Sequence, residues 1–313
     1  MSAPPVSWLL MEDYAGLRAQ GLGLAEAMGL DPELRILTAR WPWKHLTAKL
    51  WPWPLVAVAP GIVDPPYPGL VIGCGRAGTV VGAALARRGV DVVAVQHPHM
   101  DPRRFRLVLV NRHDGLTGPN VLVTRTALHR VTEARLAEAR ARWAARLAHL
   151  PRPLVSVLVG GSNGRFRLDA AVAAELADKL AGMMQTDRVG LALTPSRRTD
   201  PAATAVLRDT LAPLGALVWD GLGENPYFGM LALADMIIAT QDSVSMVSEA
   251  VATTAPVMLA RLPGRSRHIG LFIDDMLTSG RVRDFAGRYD PWPVSPMNDT
   301  LQAGEEMRRR LGY

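Results

Sequence analysis

Short apolar runs separated by helix-length stretches make up the first half of the chain. Runs of Val, Ile and Leu with few polar interruptions are typical of strands that are covered on both faces. The strands predicted here are Ser7–Met11, Leu34–Thr38, Leu55–Val58, Leu70–Gly73, Val90–Gln96, Leu107–Asn111 and Asn120–Thr124. Helical patterns lie between several of them, as at Leu17–Met28 and Thr79–Arg88. This alternation predicts an α/β fold with a parallel sheet.

The same alternation restarts after a proline-rich break. A long predicted helix, roughly Thr132–His149, ends at Leu150-Pro-Arg-Pro153, because proline cannot continue a helix. The elements that follow are the strands Leu154–Val159 and Val189–Leu193, the helices Asp169–Met184 and Pro201–Leu211, and the segments Ala216–Val218, Phe228–Ala234, Met236–Ala239, Ser245–Thr253 and Pro256–Leu259. We predict two Rossmann-like domains facing across a cleft, residues 1–150 and 151–290, with a C-terminal tail or helix at 291–313 that packs back on the first.

Composition and charge narrow the classes of protein. The chain has 313 residues, of which 49% are hydrophobic, and its single cysteine excludes a disulfide framework and a structural zinc site. Its formal charge of +6 arises in residues 1–150, which hold 18 basic and 11 acidic side chains. No basic stripe with stacking aromatics occurs, so we expect no nucleic-acid partner. No apolar run approaches the roughly 20 residues that span a bilayer, so we expect no membrane-spanning segment. The single cysteine favours a reducing compartment, and we expect a cytoplasmic protein.

A glycine motif suggests one cofactor at first sight. Gly73-Cys-Gly-Arg-Ala-Gly78 follows a predicted strand and precedes a helix, as in dinucleotide-binding folds. However, the motif is not on the first strand, and the next strand ends in Gln96 rather than in an acid that binds ribose. We interpret the motif as a tight strand–helix turn, and an NAD-dependent sugar-nucleotide epimerase stays a weaker alternative.

Two loops in the second half are better candidates for an anion site. Gly160, Gly161 and Ser162 follow one predicted strand, and Ser196 and Arg197 follow the next. Backbone N–H groups after a strand and arginines at a strand end both suit a diphosphate. Either loop alone is also compatible with a packing turn, but their succession on neighbouring strands predicts a phosphate site.

A third segment adds a helix start to these loops. Asp242 or Ser243 is a candidate N-cap, so the positive end of a helix would point to the same edge. Glu249 lies about two turns inside this helix among small and apolar residues. A solvent-facing glutamate is the alternative interpretation.

A tryptophan-rich segment is the most unusual stretch of the chain. No acidic residue occurs between Glu33 and Asp64, and tryptophan beside lysine suits the membrane–water interface and anionic headgroups. The residues predicted to meet an anionic membrane are Trp41, Trp43, Lys44, Lys49, Trp51 and Trp53. Packing of the tryptophans in a core or a subunit contact is the alternative.

These segments carry a resemblance to a known family. The block Asp242-Ser-Val-Ser-Met-Val-Ser-Glu-Ala250, together with Gly160-Gly-Ser-Asn163 and Thr194-Pro-Ser-Arg-Arg-Thr199, resembles the bacterial branch of the mitochondrial-fission "elongated mitochondria" family. That family is similar to GT-B glycosyltransferases, notably the membrane-associated enzyme that adds N-acetylglucosamine to a lipid-linked peptidoglycan precursor. Plant relatives are implicated in recruiting a dynamin-like protein.

The resemblance implies a nucleotide-sugar site in the second domain. Gly160, Gly161 and Ser162 would line the donor pocket, Ser196 and Arg197 would approach the nucleotide or its phosphates, Ser243, Val244 and Ser245 would meet the diphosphate, and Glu249 would bind the ribose hydroxyls. The nucleotide-sugar is a substrate, and we expect no cofactor and no metal to be required, since helix ends and arginines can stabilise a departing diphosphate.

The general base is expected in the first domain, where Asp13 and His113 rank ahead of Glu12 and His97. The function expected is transfer of a sugar from a nucleotide-sugar to a lipid-linked or cell-envelope acceptor. The protein would then be peripheral on the cytoplasmic face of the inner membrane. The competing class is a non-catalytic, membrane-associated adaptor that kept the fold.

Overall fold

The computed structural model describes residues 5–312 and divides into two compact units. The first contains the chain up to Arg130 together with the residues from Asp299 onward, and the second is Val131–Asn298. Each unit is a parallel six-stranded sheet with helices, so the predicted α/β class with two Rossmann-like domains is confirmed.

The first unit has the strand order β2-β1-β3-β4-β5-β6. Its elements are β1 (Ser7–Met11), α1 (Ala15–Ala27), β2 (Glu33–Ile36), α2 (Pro54–Ala57), β3 (Leu70–Cys74), α3 (Gly75–Ala86), β4 (Asp91–Val95), β5 (Leu107–Asn111) and β6 (Val121–Thr124). Short 3-10 turns lie at Trp43–His45, Ala48–Leu50, Pro102–Arg104 and Arg112–Asp114. The strand order reverses between β1 and β3, where Trp8 is in register with Val71.

The second unit has the strand order β12-β11-β10-β7-β8-β9. Its elements are α4 (Glu133–Leu147), β7 (Leu154–Val159), α5 (Ala170–Asp187), β8 (Gly190–Pro195), α6 (Pro201–Leu211), β9 (Leu217–Val218), α7 (Tyr227–Leu233), β10 (Met236–Thr240), α8 (Val244–Val251), β11 (Val257–Ala260), α9 (Arg267–Thr278) and β12 (Val282–Asp284). The strand order reverses between β7 and β10, and in open α/β sheets ligands bind outside the carboxyl ends of the strands at such a point.

The last helix, α10 (Thr300–Leu311), returns to the first unit. Met307 is fully buried in the cluster that covers one face of the first sheet. A Cβ at Gly304 would lie 2.5 Å from the Cβ of Ala27, so α10 approaches α1 too closely for any larger residue. Asp299 caps the junction by accepting the backbone N–H groups of Arg125 and Thr126.

Two details differ from the sequence expectation. The units divide at Arg130 rather than at residue 150, because α4 packs on α7 of the second unit. Trp143 of α4 lies so close to Gly229 of α7 that a Cβ at Gly229 would overlap its ring. The predicted strand Leu55–Val58 is wrong: it is the short helix α2, because Pro54 at the first helical position has its φ preset for a helical turn.

Candidate functional site

The carboxyl ends of β7, β8 and β10 meet at the point where the second sheet reverses its strand order. The loop after β10 is tied to the loop after β7, since Gly160 donates its N–H to Thr240 Oγ1 at 2.8 Å and Asn163 Nδ2 donates to the carbonyl of Asp242 at 3.1 Å. The loop after β8 joins them through Thr199, whose hydroxyl donates to the carbonyl of Gly160. The structure therefore brings the three predicted loop segments together at one edge.

A fully buried carboxylate, Asp242, organises this edge. It accepts the hydroxyl of Thr240 at 2.6 Å, the N–H of Gly161 at 3.1 Å and an Nη of Arg198 at 2.9 Å. Its three partners lie on three different loops or strand ends. Asp242 thus links the three loops at this edge of the sheet. The residue that caps the following helix is Ser243 rather than Asp242, since Ser243 Oγ accepts the Met246 N–H at 3.3 Å.

Gly160 and Gly161 are buried and fit tightly against this network. A Cβ at Gly160 would overlap the Asp242 carboxylate, and one at Gly161 would overlap the carbonyl of Arg198. Both N–H groups already have protein acceptors. The glycine pair therefore allows the strand ends to approach one another, and its N–H groups are occupied rather than open to a phosphate. Ser162 is exposed, and its Oγ accepts the Leu168 N–H at 2.9 Å.

The two arginines after β8 have different surroundings. Arg198 pairs with Asp242 and also donates to the carbonyl of Gly161 at 3.3 Å. The Arg197 side chain is exposed, and no hydrogen bond or ion pair joins it to another residue within the described part of the chain. Ser196 is half-buried, with its N–H donating to Thr199 Oγ1 at 2.8 Å. Arg197 is therefore the guanidinium of this loop that is available to an anionic ligand.

The start of α8 offers further donors at the same edge. Val244 is its first residue, and its backbone N–H has no acceptor among residues 5–312. Ser243 and Ser245 flank it and are half-buried. Because the N-terminal end of a helix carries partial positive charge, this turn favours an anion.

Glu249 lies one and a half turns further along α8 and is half-buried. Its Oε2 accepts the hydroxyl of Tyr227, the first residue of α7. Burial raises the pKa of the Glu249 carboxyl to about 7, and the Tyr227 hydrogen bond acts in the opposite direction. Burial beside Glu249 also raises the pKa of Tyr227. Tyr227 has no signature in the sequence as a partner of Glu249, since it is 22 positions away and belongs to another helix.

The glycine motif of the first unit is explained by packing. A Cβ at Gly73 would lie 2.6 Å from the carbonyl of Gly78, and one at Gly78 would overlap the carbonyl of Leu10. Gly75 has a φ of +73°, a conformation that favours glycine. The motif lets α3 lie directly on β1 and β3, as the interpretation of a tight strand–helix turn predicts.

The two ranked base candidates are not neighbours. Asp13 follows β1, is exposed and pairs with Arg18 at 2.9 Å. His113 lies in the 3-10 turn after β5 and is half-buried. β3 and β4 separate β1 from β5, so the two strand ends are about 14 Å apart. Glu12 is at the strand-order reversal of this sheet, its carboxylate accepting the Ala77 N–H at 3.4 Å.

The tryptophan-rich segment has an inner and an outer set. Trp51 is only 8% exposed and belongs to the core, with its Nε1 donating to the carbonyl of half-buried Trp43 at 3.2 Å. Trp41 and Trp53 are outside the core. The expectation that all four tryptophans face a membrane is therefore wrong for Trp51. Within the described residues, no helix is long and apolar enough to cross a bilayer.

Comparison with known sequences identifies relatives. The family described as "Mitochondrial fission ELM1" matches residues 15–311. The chain is 32% identical over 274 residues to the mitochondrial fission protein ELM1 of Arabidopsis thaliana. That alignment includes 78% of this chain and spans 64% of the length of the plant protein.

Comparison with solved structures identifies the fold. The UDP-GlcNAc 2-epimerase of Methanocaldococcus jannaschii, solved with UDP-GlcNAc and UDP, is similar over 98% of this chain and 99% of its own, with a TM-score of 0.60 and 12% identity. MurG of Acinetobacter baumannii is similar over 97% and 93%, with a TM-score of 0.50 and 16% identity. The two units thus have the architecture of GT-B glycosyltransferases and related epimerases.

Proposed function

The chain belongs to the mitochondrial fission ELM1 family, and on that premise we propose that its second unit binds a nucleoside-diphosphate sugar and that the protein transfers the sugar. The observation that carries the proposal is the convergence of an exposed arginine, Arg197, and an open N–H at the start of α8 on one edge of the sheet. The Asp242–Arg198 pair fixes the two loops that present these groups.

In the proposed site, different residues bind the diphosphate and the ribose of the donor. The diphosphate would accept hydrogen bonds from the first turn of α8 and from Arg197, which stabilise the negative charge that develops on the departing nucleoside diphosphate. The ribose hydroxyls would donate to Glu249, which lies about 7.5 Å further along the helix than Val244 at 1.5 Å per residue. Glu249 accepts from Tyr227 in the free protein, so ribose would replace or share that donor.

The general base that acts on the acceptor is proposed to come from the first unit. Asp13 or His113 would remove the proton of the acceptor hydroxyl, and a lipid-linked or cell-envelope acceptor on the cytoplasmic face of the inner membrane fits the chemistry expected. We expect Asp13→Asn or His113→Asn to slow release of free nucleotide from the donor while leaving donor affinity unchanged. Equal loss of affinity and turnover would contradict the role of a base.

A non-catalytic adaptor is the second candidate, and one observation favours it. Arg198 and the N–H groups of Gly160 and Gly161 are already used within the protein, which leaves fewer donors for a diphosphate than the sequence suggests. The plant relative also carries the name of a fission protein rather than of an enzyme. The NAD-dependent alternative has less support, because packing accounts for the three glycines of its motif.

Calorimetric titration separates the first two candidates. The panel is UDP-, GDP-, ADP- and CMP-sugars with NAD, and we expect one sugar nucleotide to bind. Arg197→Ala should weaken that binding at least tenfold, because a charge-assisted contact to phosphate is lost. Arg140→Ala, which removes an exposed arginine of α4, is the matched control and should bind normally. If no nucleotide binds, the adaptor is the better description.

A further inference from the structure

Five large apolar side chains are exposed between the second and third strands of the first unit. Trp41 is 74% exposed and Trp53 67% exposed, so neither contributes to the core. We call this surface the tryptophan face, and its members are Trp41, Leu46, Leu50, Trp53 and Val56. Exposure of so much apolar area within 16 residues of chain is characteristic of an interaction surface.

The loop that carries this face is closed at its base. Arg40 donates its N–H to the carbonyl of Ala57 at 2.8 Å, and Ala39 forms an isolated bridge with Val58. Trp41 therefore lies next to Val56 at the base, although 15 positions separate them. The buried side chains of Ala48 and Trp51 fasten the middle of the loop to the core. With its inner side fixed, the loop presents the tryptophan face outward.

The loop that carries the face has basic side chains and no acidic ones. Arg40, Lys44 and Lys49 are exposed, and none of them pairs with a carboxylate in the described part of the chain. No acidic residue occurs between Glu33 and Asp64. Two of the three lysines of the whole chain are in this loop.

We propose that the tryptophan face binds the surface of an anionic lipid membrane. Tryptophan and leucine side chains insert at the level of the headgroups, and unpaired lysine and arginine side chains meet negatively charged lipid. A second copy of this chain is a poorer occupant, because face-to-face pairing would bring six unpaired cations together. The proposal concerns attachment alone and does not depend on the nucleotide site.

Vesicle sedimentation with the full chain tests the charges. We expect binding to vesicles of phosphatidylcholine with one-quarter phosphatidylglycerol, and little binding to phosphatidylcholine alone. Lys44→Gln with Lys49→Gln should lower the partition coefficient roughly 25-fold, from about fivefold per basic residue near the surface. Lys179→Gln with Arg140→Gln removes two exposed cations from the second unit and should leave it unchanged.

The contribution of the apolar side chains to membrane binding is tested by the double substitution Trp41→Ser with Trp53→Ser. This variant should lose at least tenfold in binding, whereas Leu222→Ser with Leu271→Ser, which removes two exposed leucines of the second unit, should not. Trp41 and Trp53 are outside the core, so circular dichroism should show the variant folded. Equal binding of variant and control overturns the proposal. So does a wild-type dimer that this variant dissociates while vesicle binding persists.

Discussion

Gly160 and Gly161 determine how closely the strand ends of the second unit approach one another. Replacing Gly161 with alanine would push a methyl group into the carbonyl of Arg198, a backbone atom that cannot rotate away. We expect Gly161→Ala to lower the free energy of unfolding by about 1–3 kcal/mol through overpacking. Urea unfolding followed by circular dichroism measures the change.

Gly182 supplies a control with the opposite expected sign. It lies in the exposed middle of α5, and a Cβ there would meet nothing within 4 Å. Gly182→Ala should therefore stabilise the protein by about 0.5–1 kcal/mol through helix propensity. If the Gly161→Ala variant were as stable as this control, the loops would have to move apart at little energetic cost. That result would contradict the conclusion that the glycine pair is required for the close approach of the strand ends.

The Glu249 carboxyl should make stability depend on pH. Its pKa is raised from 4.5 to about 7 by burial, so the folded state binds more protons than the unfolded state between these values. Stability should therefore fall as pH rises from about 4.5 to 7, by up to about 3 kcal/mol. Tyr227→Phe removes the donor that favours the ionised form, so it should extend the fall to higher pH.

Urea midpoints at half-unit pH steps give the measurement. Glu249→Gln should flatten the profile over this window, and Glu175→Gln, which changes an exposed glutamate of α5, should keep its slope. The same titration should affect ligand binding, because both Glu249 oxygens can accept ribose hydroxyls only when the carboxyl is ionised. Donor affinity that is constant from pH 5 to 8 would remove Glu249 from the proposed contact.

At the scale of elements, α8 is fixed at both ends. Ser243 caps its N-terminus, and the buried Arg281 donates to the carbonyls of Val251, its last residue, and of Thr253 and Ala255 just beyond it, at 2.9, 2.7 and 3.1 Å. Burial lowers the pKa of Arg281 to about 10, which leaves it charged at neutral pH. The C-terminal end of the helix that begins at the proposed diphosphate site is thus held by a single guanidinium.

We expect Arg281→Met to destabilise the protein by about 2–4 kcal/mol, because three buried carbonyls lose their donor. Hydrogen exchange of the α8 amides should accelerate first. Arg283→Met, two residues further on, loses an exposed pair with Asp290 and a contact with the ring of Trp292, and should change stability by less than about 1 kcal/mol. Similar losses in both variants would mean that the carbonyl contacts of Arg281 contribute little.

Element prediction from the sequence is best for buried strands. The strands at Ser7–Met11, Leu107–Asn111 and Leu154–Val159 have the bounds that their apolar runs predict, because both faces of each are covered. The run at Leu55–Val58 is equally apolar, but a preceding proline and an anchored loop make it helical. α9 and β12 were not predicted.

At the scale of the whole molecule, the sequence predicts that the candidate loops lie at one edge of the sheet, but it does not predict which side chains of these loops contact one another. Motif and strand order bring Gly160, Ser196 and Ser243 to one edge. The sequence does not predict which arginine pairs with Asp242 or that Tyr227 contacts Glu249. These contacts join residues that are 44 and 22 positions apart along the chain. Such distances have no local signature.

The distribution of charge also changes when the units are known. The first unit has 17 basic and 12 acidic residues and the second 18 and 17, because arginine-rich α4 belongs to the second. Most of the surplus, five of the six positive charges, still lies in the first unit, which carries the tryptophan face.

The last prediction concerns α10, which joins the end of the chain to the first unit. Met307 is fully buried there, so Met307→Ala should cost about 2–5 kcal/mol by leaving a cavity. Because the cluster around Met307 includes Leu24 of α1, α1 amides should exchange faster while those of β7 keep their protection. Leu301→Ala, at a half-exposed position of the same helix, should leave both unchanged. Faster exchange in β7 as well would mean that the two units unfold together, and the proposed nucleotide site would then depend on a residue of the other unit.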